Sequence, residues 1–198
     1  MYKISISGKA NSGKDTVSKL IAEGLSNKIN KKNCVQHIAF ADPLKQIIKI
    51  MFPYVPEEHL YGPSKFRSEI IPNAFKDSKP LTIRQLLLDL GTEIGRGYNP
   101  NIWIDVFKHT LEQSFINKKE IVIVSDNRFR NEFDCLKSLG FYQIRILRDE
   151  QLSINHSSET DQVNIKDEEF DFILNNNGTL SDLQVKINQI VNNIIKLQ

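Results

Sequence analysis

Tyr2 to Leu25 reads YKISISGKANSGKDTVSKLIAEGL: a short strand-like run, a loop bounded by glycines, a lysine, then a helical pattern. Ile4-Ser5-Ile6-Ser7 predicts a strand ending at Gly8, and Val17, Leu20, Ile21, Gly24 and Leu25 recur as one face of a helix. Strand, loop and helix in that order make a receptacle for a polyphosphate. The loop N–H groups point inward, the helix N-terminus adds partial positive charge, and Lys14 can reach the outer phosphate oxygens. Glycine is needed where a side chain would hold the backbone off the phosphate. The general pattern G-x-x-x-x-G-K-[ST] is met at Gly8, Gly13 and Lys14, but Asp15 stands where a hydroxyl usually meets magnesium, with Thr16 next. A glycine-rich turn without ligand is the competing reading, and the strand before and helix after argue against it. Gly8, Asn11, Ser12, Gly13, Lys14, Asp15 and Thr16 are therefore the expected phosphate-binding residues.

Downstream, CVQHIAF (Cys34–Phe40) predicts a second strand, and Asp42-Pro43 predicts a helix start with Asp42 as N-cap and Leu44, Ile47, Ile48, Met51 and Phe52 on one face. Residues 53–80 hold six prolines and glycines with little periodicity, and read as a long functional or disordered loop. Thr82-Ile83-Arg84-Gln85 is a capping-box pattern opening a helix that ends near Gly95 and Gly97, and Asn99-Pro100 restarts one through Trp103, Phe107, Leu111 and Phe115. IVIV (Ile121–Val124) has the unbroken apolar character of a central parallel strand. A helix through Phe129, Phe133 and Leu136, a strand Phe141–Arg148, a polar unpatterned segment, a strand Phe170–Leu174, the turn Asn175-Asn176-Asn177-Gly178 and a closing helix follow. Five strands alternating with helices predict an α/β fold with a doubly wound parallel sheet, whose ligand lies beyond the carboxyl ends of the strands. Asp42, Asp126, Arg128 and Arg148 all fall just after strands.

With 198 residues, 40% apolar and 25% charged, the chain fits one soluble domain. A net charge of +2 gives no reason to invoke nucleic acid or a membrane surface. Lys28, Lys31 and Lys32 read as a solvated helix end. Cys34 and Cys135 lack metal or redox spacing and read as buried or half-buried thiols in a reducing compartment. No secretory signal or membrane-length run is evident, so a cytoplasmic location is expected.

Phosphoryl transfer needs charge neutralisation and placement more than covalent chemistry, which makes the seven arginines more informative than the nineteen lysines. Arg128, after the central strand, is expected to contact a phosphate; its rival reading is a surface ion pair with Glu132. Arg148 is expected to clamp the donor from the root of a lid, against a solvated strand end. Arg84 sits in the first turn of a helix, where a cation opposes the dipole and an anion nearby would explain it. Arg130 and Arg145 read as solvent-facing. Asp126 is placed to bind magnesium through water or to cap the next helix, and Asp42 to face an acceptor or to cap its own. Asp15 and Thr16 are further metal candidates. Trp103 reads as core or as a base-stacking surface. His156 lacks partners at ligand spacing, and His37 and His109 read as structural.

The pieces SGKANSGKDT, FADPLK (Phe40–Lys45), RQLLLDLGTEIGR (Arg84–Arg96), SDNRFRNE (Ser125–Glu132), RILR, HSSE (His156–Glu159) and LNNNGTLSDL occur in order along nearly the whole chain. Together they resemble the bacteriophage deoxynucleoside monophosphate kinases, in which the aspartate after the loop lysine looks like a family feature. The resemblance implies a P-loop NTPase fold of the NMP-kinase type: a three-layer α/β/α domain with a five-stranded parallel sheet, a helical substrate-binding insertion and a lid. It implies one domain over 1–198, with 53–100 as the insertion and 149–168 as the lid-like segment. The implied activity is ATP- and Mg²⁺-dependent phosphorylation of a dNMP to a dNDP, in the host cytoplasm if phage-encoded. Asp42 and Lys45 then fall in the acceptor region, Arg128 and Glu132 in the nucleotide-contacting segment, and Arg148 with HSSE on the lid side. Small-molecule partners and a monomer or homodimer are expected. The rival functions are another small-molecule kinase with the same loop, for phosphomevalonate or dephospho-coenzyme A, and a non-metabolic nucleotide switch.

Overall fold

The structure is a computed structural model that describes residues 1–149 and 165–197. The chain divides into two compact units, Met1–Ala39 with Lys108–Gln198, and Phe40–Phe107.

The first unit is built on a five-stranded, wholly parallel sheet in the order β2-β5-β1-β6-β7, from β1 (Tyr2–Gly8), β2 (Val35–His37), β5 (Ile121–Val124), β6 (Tyr142–Leu147) and β7 (Phe172–Asn175). β1 is central because it is flanked by β5 (Ser5 beside Val124) and β6 (Ile6 beside Ile144). All four residues of β5 are buried, as a strand covered on both faces requires. From β1 the chain passes through α1 (Lys14–Ile29) outward to β2, whereas α6 (Arg130–Ser138) joins β5 to β6 in the opposite direction. Right-handed crossovers therefore put α1 and α6 on opposite faces. The closing helix α7 (Leu180–Lys196) returns to the α1 face, where Ile187, Val191 and Ile194 join Ile4, Ile6, Val17, Ile21 and Leu25 in one apolar cluster. Gly24 lets α1 and α7 come close: a methyl there would stand 3.1 Å from a Val191 methyl. Phe133 and Leu136, fully buried, are the apolar stripe of α6. The first unit is thus a three-layer α/β/α arrangement around a five-stranded parallel sheet, as anticipated.

The Phe40–Phe107 unit contains α2 (Asp42–Met51), α3 (Glu57–Tyr61), a 3₁₀ turn (Ser64–Ser68), an antiparallel hairpin of β3 (Ile70–Lys76) and β4 (Lys79–Thr82), and α4 (Ile83–Leu88). α4 continues as a π-helical stretch, Asp89–Arg96, and α5 (Ile102–Ile116) begins here. Ile48, Val55, Leu60, Ile71, Ala74, Leu81, Ile83 and Leu86 form its core.

Several boundaries depart from expectation. Residues 53–80 are an ordered helix, turn and hairpin, not a long loop. The hairpin closes through Asp77-Ser78, both with positive φ (50° and 63°), a turn that usually carries glycine. Pro72 and Pro80 are tolerated because each strand of a two-stranded ribbon has an open edge. α2 begins at Asp42 with Ala41 in the cap position, so Asp42 is not the expected N-cap; its carboxylate accepts from Lys45 Nζ instead (2.8 Å). α6 begins at Arg130 behind Phe129, so Asp126 does not cap it either.

Candidate phosphate-binding site

The loop between β1 and α1 leaves the sheet at the carboxyl end of its central strand. Asn11 (φ 60°) and Gly13 (φ 97°) bend it back on itself, and Gly13 is the N-cap of α1, where no side chain caps the helix. The first-turn amides thus lack the side-chain acceptor most helices supply, the condition under which an anion is welcome. Lys14 Nζ arches back over the loop and donates to the carbonyls of Gly8 (2.6 Å) and Lys9 (2.7 Å). Two sites reject a side chain. A Cβ on Gly8 would lie 2.6 Å from Ser12 Oγ and 3.1 Å from the Ile146 carbonyl; one on Gly13 would lie 2.5 Å from Asn176 Nδ2. Ser12 is fully buried, and its hydroxyl, packed against Gly8, finds no hydrogen-bond acceptor among the described residues.

Neighbouring strands deliver further groups to the same sheet end. After β5, Asn127 is buried and its Oδ1 accepts from Ser7 Oγ (3.0 Å), pinning the Ser125–Arg128 segment beside the residue before Gly8. Asp126 and Arg128 are therefore on the Lys14 side of the sheet. After β6, Arg148 Nη1 approaches the Asn11 carbonyl (3.4 Å). After β7, Asn176 donates from its backbone to Leu147 (2.8 Å) and from Nδ2 to the Ser12 carbonyl (2.9 Å).

Glu132 is only 3% exposed, and its Oε2 accepts from the amides of Arg128 (2.7 Å) and Phe129 (3.1 Å). A carboxylate at the start of α6 is favoured by the helix dipole and by those two donors, so Glu132 fixes the backbone that carries Arg128. Arg145 departs from expectation. It is largely buried against Phe170 (5.2 Å) and bound to Asp167 (2.8 Å) and the Ile165 carbonyl (2.6 Å). Arg130 pairs with Asp134 and Glu169 on the surface; those bonds raise its pKa, the Asp134 bond first.

Within the Phe40–Phe107 unit, Lys45 is buried, bound to Asp42 (2.8 Å) and set over the Tyr61 ring (4.7 Å). Burial first, then Asp42 and Glu57, push the Tyr61 hydroxyl above its ordinary pKa. Arg84 is exposed, with Nη2 3.4 Å from the Ser64 carbonyl. Thr82 Oγ1 caps α4 by accepting from the Gln85 amide (3.2 Å), while the Gln85 side chain turns to Asp89 (2.9 Å), so half the expected capping box forms. Trp103 is core, not a stacking surface. It is 8% exposed, its Nε1 donates to the Gly91 carbonyl (2.8 Å), and its ring lies where a Cβ on Gly95 would fall. Both cysteines are buried free thiols, as read.

Sequence reasoning missed Asn127, Asn176 and the buried Asp89, which binds Lys76 (2.8 Å). The position of Asn127 after a buried strand and the run of three asparagines that ends β7 were the available signals. His156 and the rest of HSSE lie outside the described residues, as does most of the lid-like segment.

Among the described residues no three carboxylate, histidine or cysteine side chains cluster as a metal cage. Mg²⁺ needs none, since it keeps its waters and takes one or two protein ligands plus substrate phosphates. Asp15 and Thr16, exposed in the first turn of α1, and Asp126 at the end of β5 fit that donor set. Among the described residues no helix is long and apolar enough to cross a membrane.

A family model described as deoxynucleotide monophosphate kinase matches residues 61–187. A protein of Acanthamoeba polyphaga mimivirus, provisionally named a deoxynucleotide monophosphate kinase, is 31% identical over 98% of this chain and 97% of its own. A solved dephospho-CoA kinase from Campylobacter jejuni superposes with a TM-score of 0.47 at 16% identity, covering 98% of this chain and 96% of that one. The family model and the full-length relative together establish that the chain belongs to the deoxynucleotide monophosphate kinase family.

Proposed function

We propose that the chain transfers the γ-phosphoryl group of ATP to a deoxynucleoside monophosphate, yielding a dNDP and ADP. An acceptor phosphate oxygen attacks the γ-phosphorus in line, the bond to the β–γ bridging oxygen breaks, and ADP leaves with that electron pair. No covalent phosphoenzyme forms. The amides from Gly8 to Thr16 hold the donor phosphates, with Asn11, Ser12 and Gly13 shaping the loop. Lys14 exchanges its carbonyl partners for phosphate oxygens. Arg128 and Arg148 balance charge on the transferred group, with Glu132 holding the Arg128 backbone. Asp42, Lys45 and Arg84 serve the acceptor, and residues 149–168 act as a lid on a single kinase domain carrying 53–100 as its insertion. Mg²⁺, held through Asp15, Thr16 and Asp126 directly or by water, supplies charge neutralisation on the donor phosphates.

One observation carries this reading: the uncapped, glycine-bent loop under Lys14, at a sheet end where Asp126, Arg128 and Arg148 also emerge. Coupled ADP release across the dNMPs, the NMPs, dephospho-coenzyme A and phosphomevalonate tests it. Turnover that depends on a dNMP is expected. Turnover only with the last two acceptors, or none with any, would replace it.

A further inference from the structure

The asparagine run that ends β7 touches the loop between β1 and α1. Asn176 Nδ2 donates to the Ser12 carbonyl (2.9 Å), while its backbone is fixed to β6 through Leu147 (2.8 Å). The Ser12 carbonyl and the Gly13 N–H belong to one planar trans peptide and point in opposite directions. Holding the carbonyl therefore aims the Gly13 N–H away from Asn176. The Asn176 amide also occupies the space a Cβ on Gly13 would need, so the two residues fit as a pair. The next residue, Asn177, makes a reciprocal pair with Asp149: Asp149 N–H to Asn177 Oδ1 (3.0 Å) and Asn177 Nδ2 to Asp149 Oδ2 (2.7 Å). Asp149 directly follows Arg148, whose guanidinium reaches the Asn11 carbonyl. The turn thus braces the loop at Ser12 and the strand end that carries Arg148.

We propose that Asn176 is a positioning residue for the donor nucleotide: through the Ser12 carbonyl it orients the Gly13 amide toward the donor phosphates. The proposal rests on the functional reading above. It is tested by Asn176→Ala and Asn176→Leu, the second keeping the branched heavy-atom skeleton of asparagine without its donor. Calorimetric titration with ATP alone, KM for ATP and for the preferred dNMP, and thermal melting are measured for each. Both variants should bind ATP about tenfold more weakly, with the acceptor KM within twofold and melting points lowered by no more than about 4 °C. Wild-type ATP affinity in Asn176→Leu would make the residue a space-filler and overturn the proposal. So would ATP affinity unchanged in both variants, or lost only in proportion to melting temperature. Wild-type protein that binds ATP but phosphorylates no dNMP would remove the functional reading, while the ATP titration would still judge Asn176.

Discussion

Replacing Gly13 by alanine sets the geometry of the loop against its chemistry. At φ 97° the residue lies where an L side chain costs about 1–2 kcal/mol. The new methyl would stand 2.5 Å from Asn176 Nδ2, inside any real contact distance, so the amide must swing away. Losing its bond to Ser12 adds about 1 kcal/mol. The sum is about 2–3 kcal/mol, which for a chain of this length lowers the melting temperature by about 4–12 °C. If the loop relaxes into another shape, the same cost appears as ATP affinity weakened by about 30–150-fold. Calorimetric melting with and without saturating ATP separates the two routes. Gly97→Ala is the control, since nothing lies within 4 Å of a Cβ there and its φ is −63°; it should be close to neutral. A Gly13→Ala protein within 1 °C of wild type, with ATP affinity within twofold, would refute both the strain and the assignment of the loop.

Arg148→Ala should slow turnover by about 10³ or more if the guanidinium stabilises the transferred group; a loss of only a few-fold would leave it a solvated strand end. Glu132→Ala should cost about 3 kcal/mol in chemical denaturation, because two amides lose a buried charged acceptor. Glu132→Gln, which can still accept, should cost clearly less, and equal losses would contradict the capping role. Asp182 is held below its ordinary pKa of 3.8 by the Thr179 hydroxyl first and the Thr179 amide second. A depressed carboxylate stabilises above its unfolded pKa, and that contribution fades as pH falls through the lower folded value. Asp182→Asn should therefore flatten the loss of stability on acidification below about pH 4, measured by denaturation from pH 2 to 6; an unchanged acid limb would contradict the assignment.

The sheet was legible because its strands obey local rules. IVIV is apolar throughout since both faces are covered, and Ile4 and Ile6, alternating with Ser5 and Ser7, read as a strand although those serines are buried as well. The glycine-bounded turn between β1 and α1 was legible because Gly8 and Gly13 leave no room for a side chain. The hairpin at 70–82 was not, because Asp77-Ser78 adopts a left-handed turn without glycine and the prolines sit on open edges. Asp42 and Asp126 looked like caps because a sequence shows which residue can cap, not where the helix starts: α2 takes Ala41 and α6 takes Phe129 in the cap position, and Lys45 binds the Asp42 carboxylate. Trp103 looked available because it flanks glycines; Gly95 instead leaves room for the indole in the core, where its Nε1 donates to the Gly91 carbonyl. Contacts joining residues far apart in sequence, Ser7 with Asn127 and Ser12 with Asn176, leave no local periodicity to read.

The most direct measurement follows products rather than rates: ³¹P spectra of the protein with ATP, Mg²⁺ and each dNMP, beside Lys14→Met. Wild-type protein should form dNDP and ADP in equal amounts, and Lys14→Met should form neither while melting like the wild type. Equal dNDP formation by Lys14→Met, or ADP appearing without dNDP, would contradict phosphoryl transfer at the Gly8–Thr16 loop.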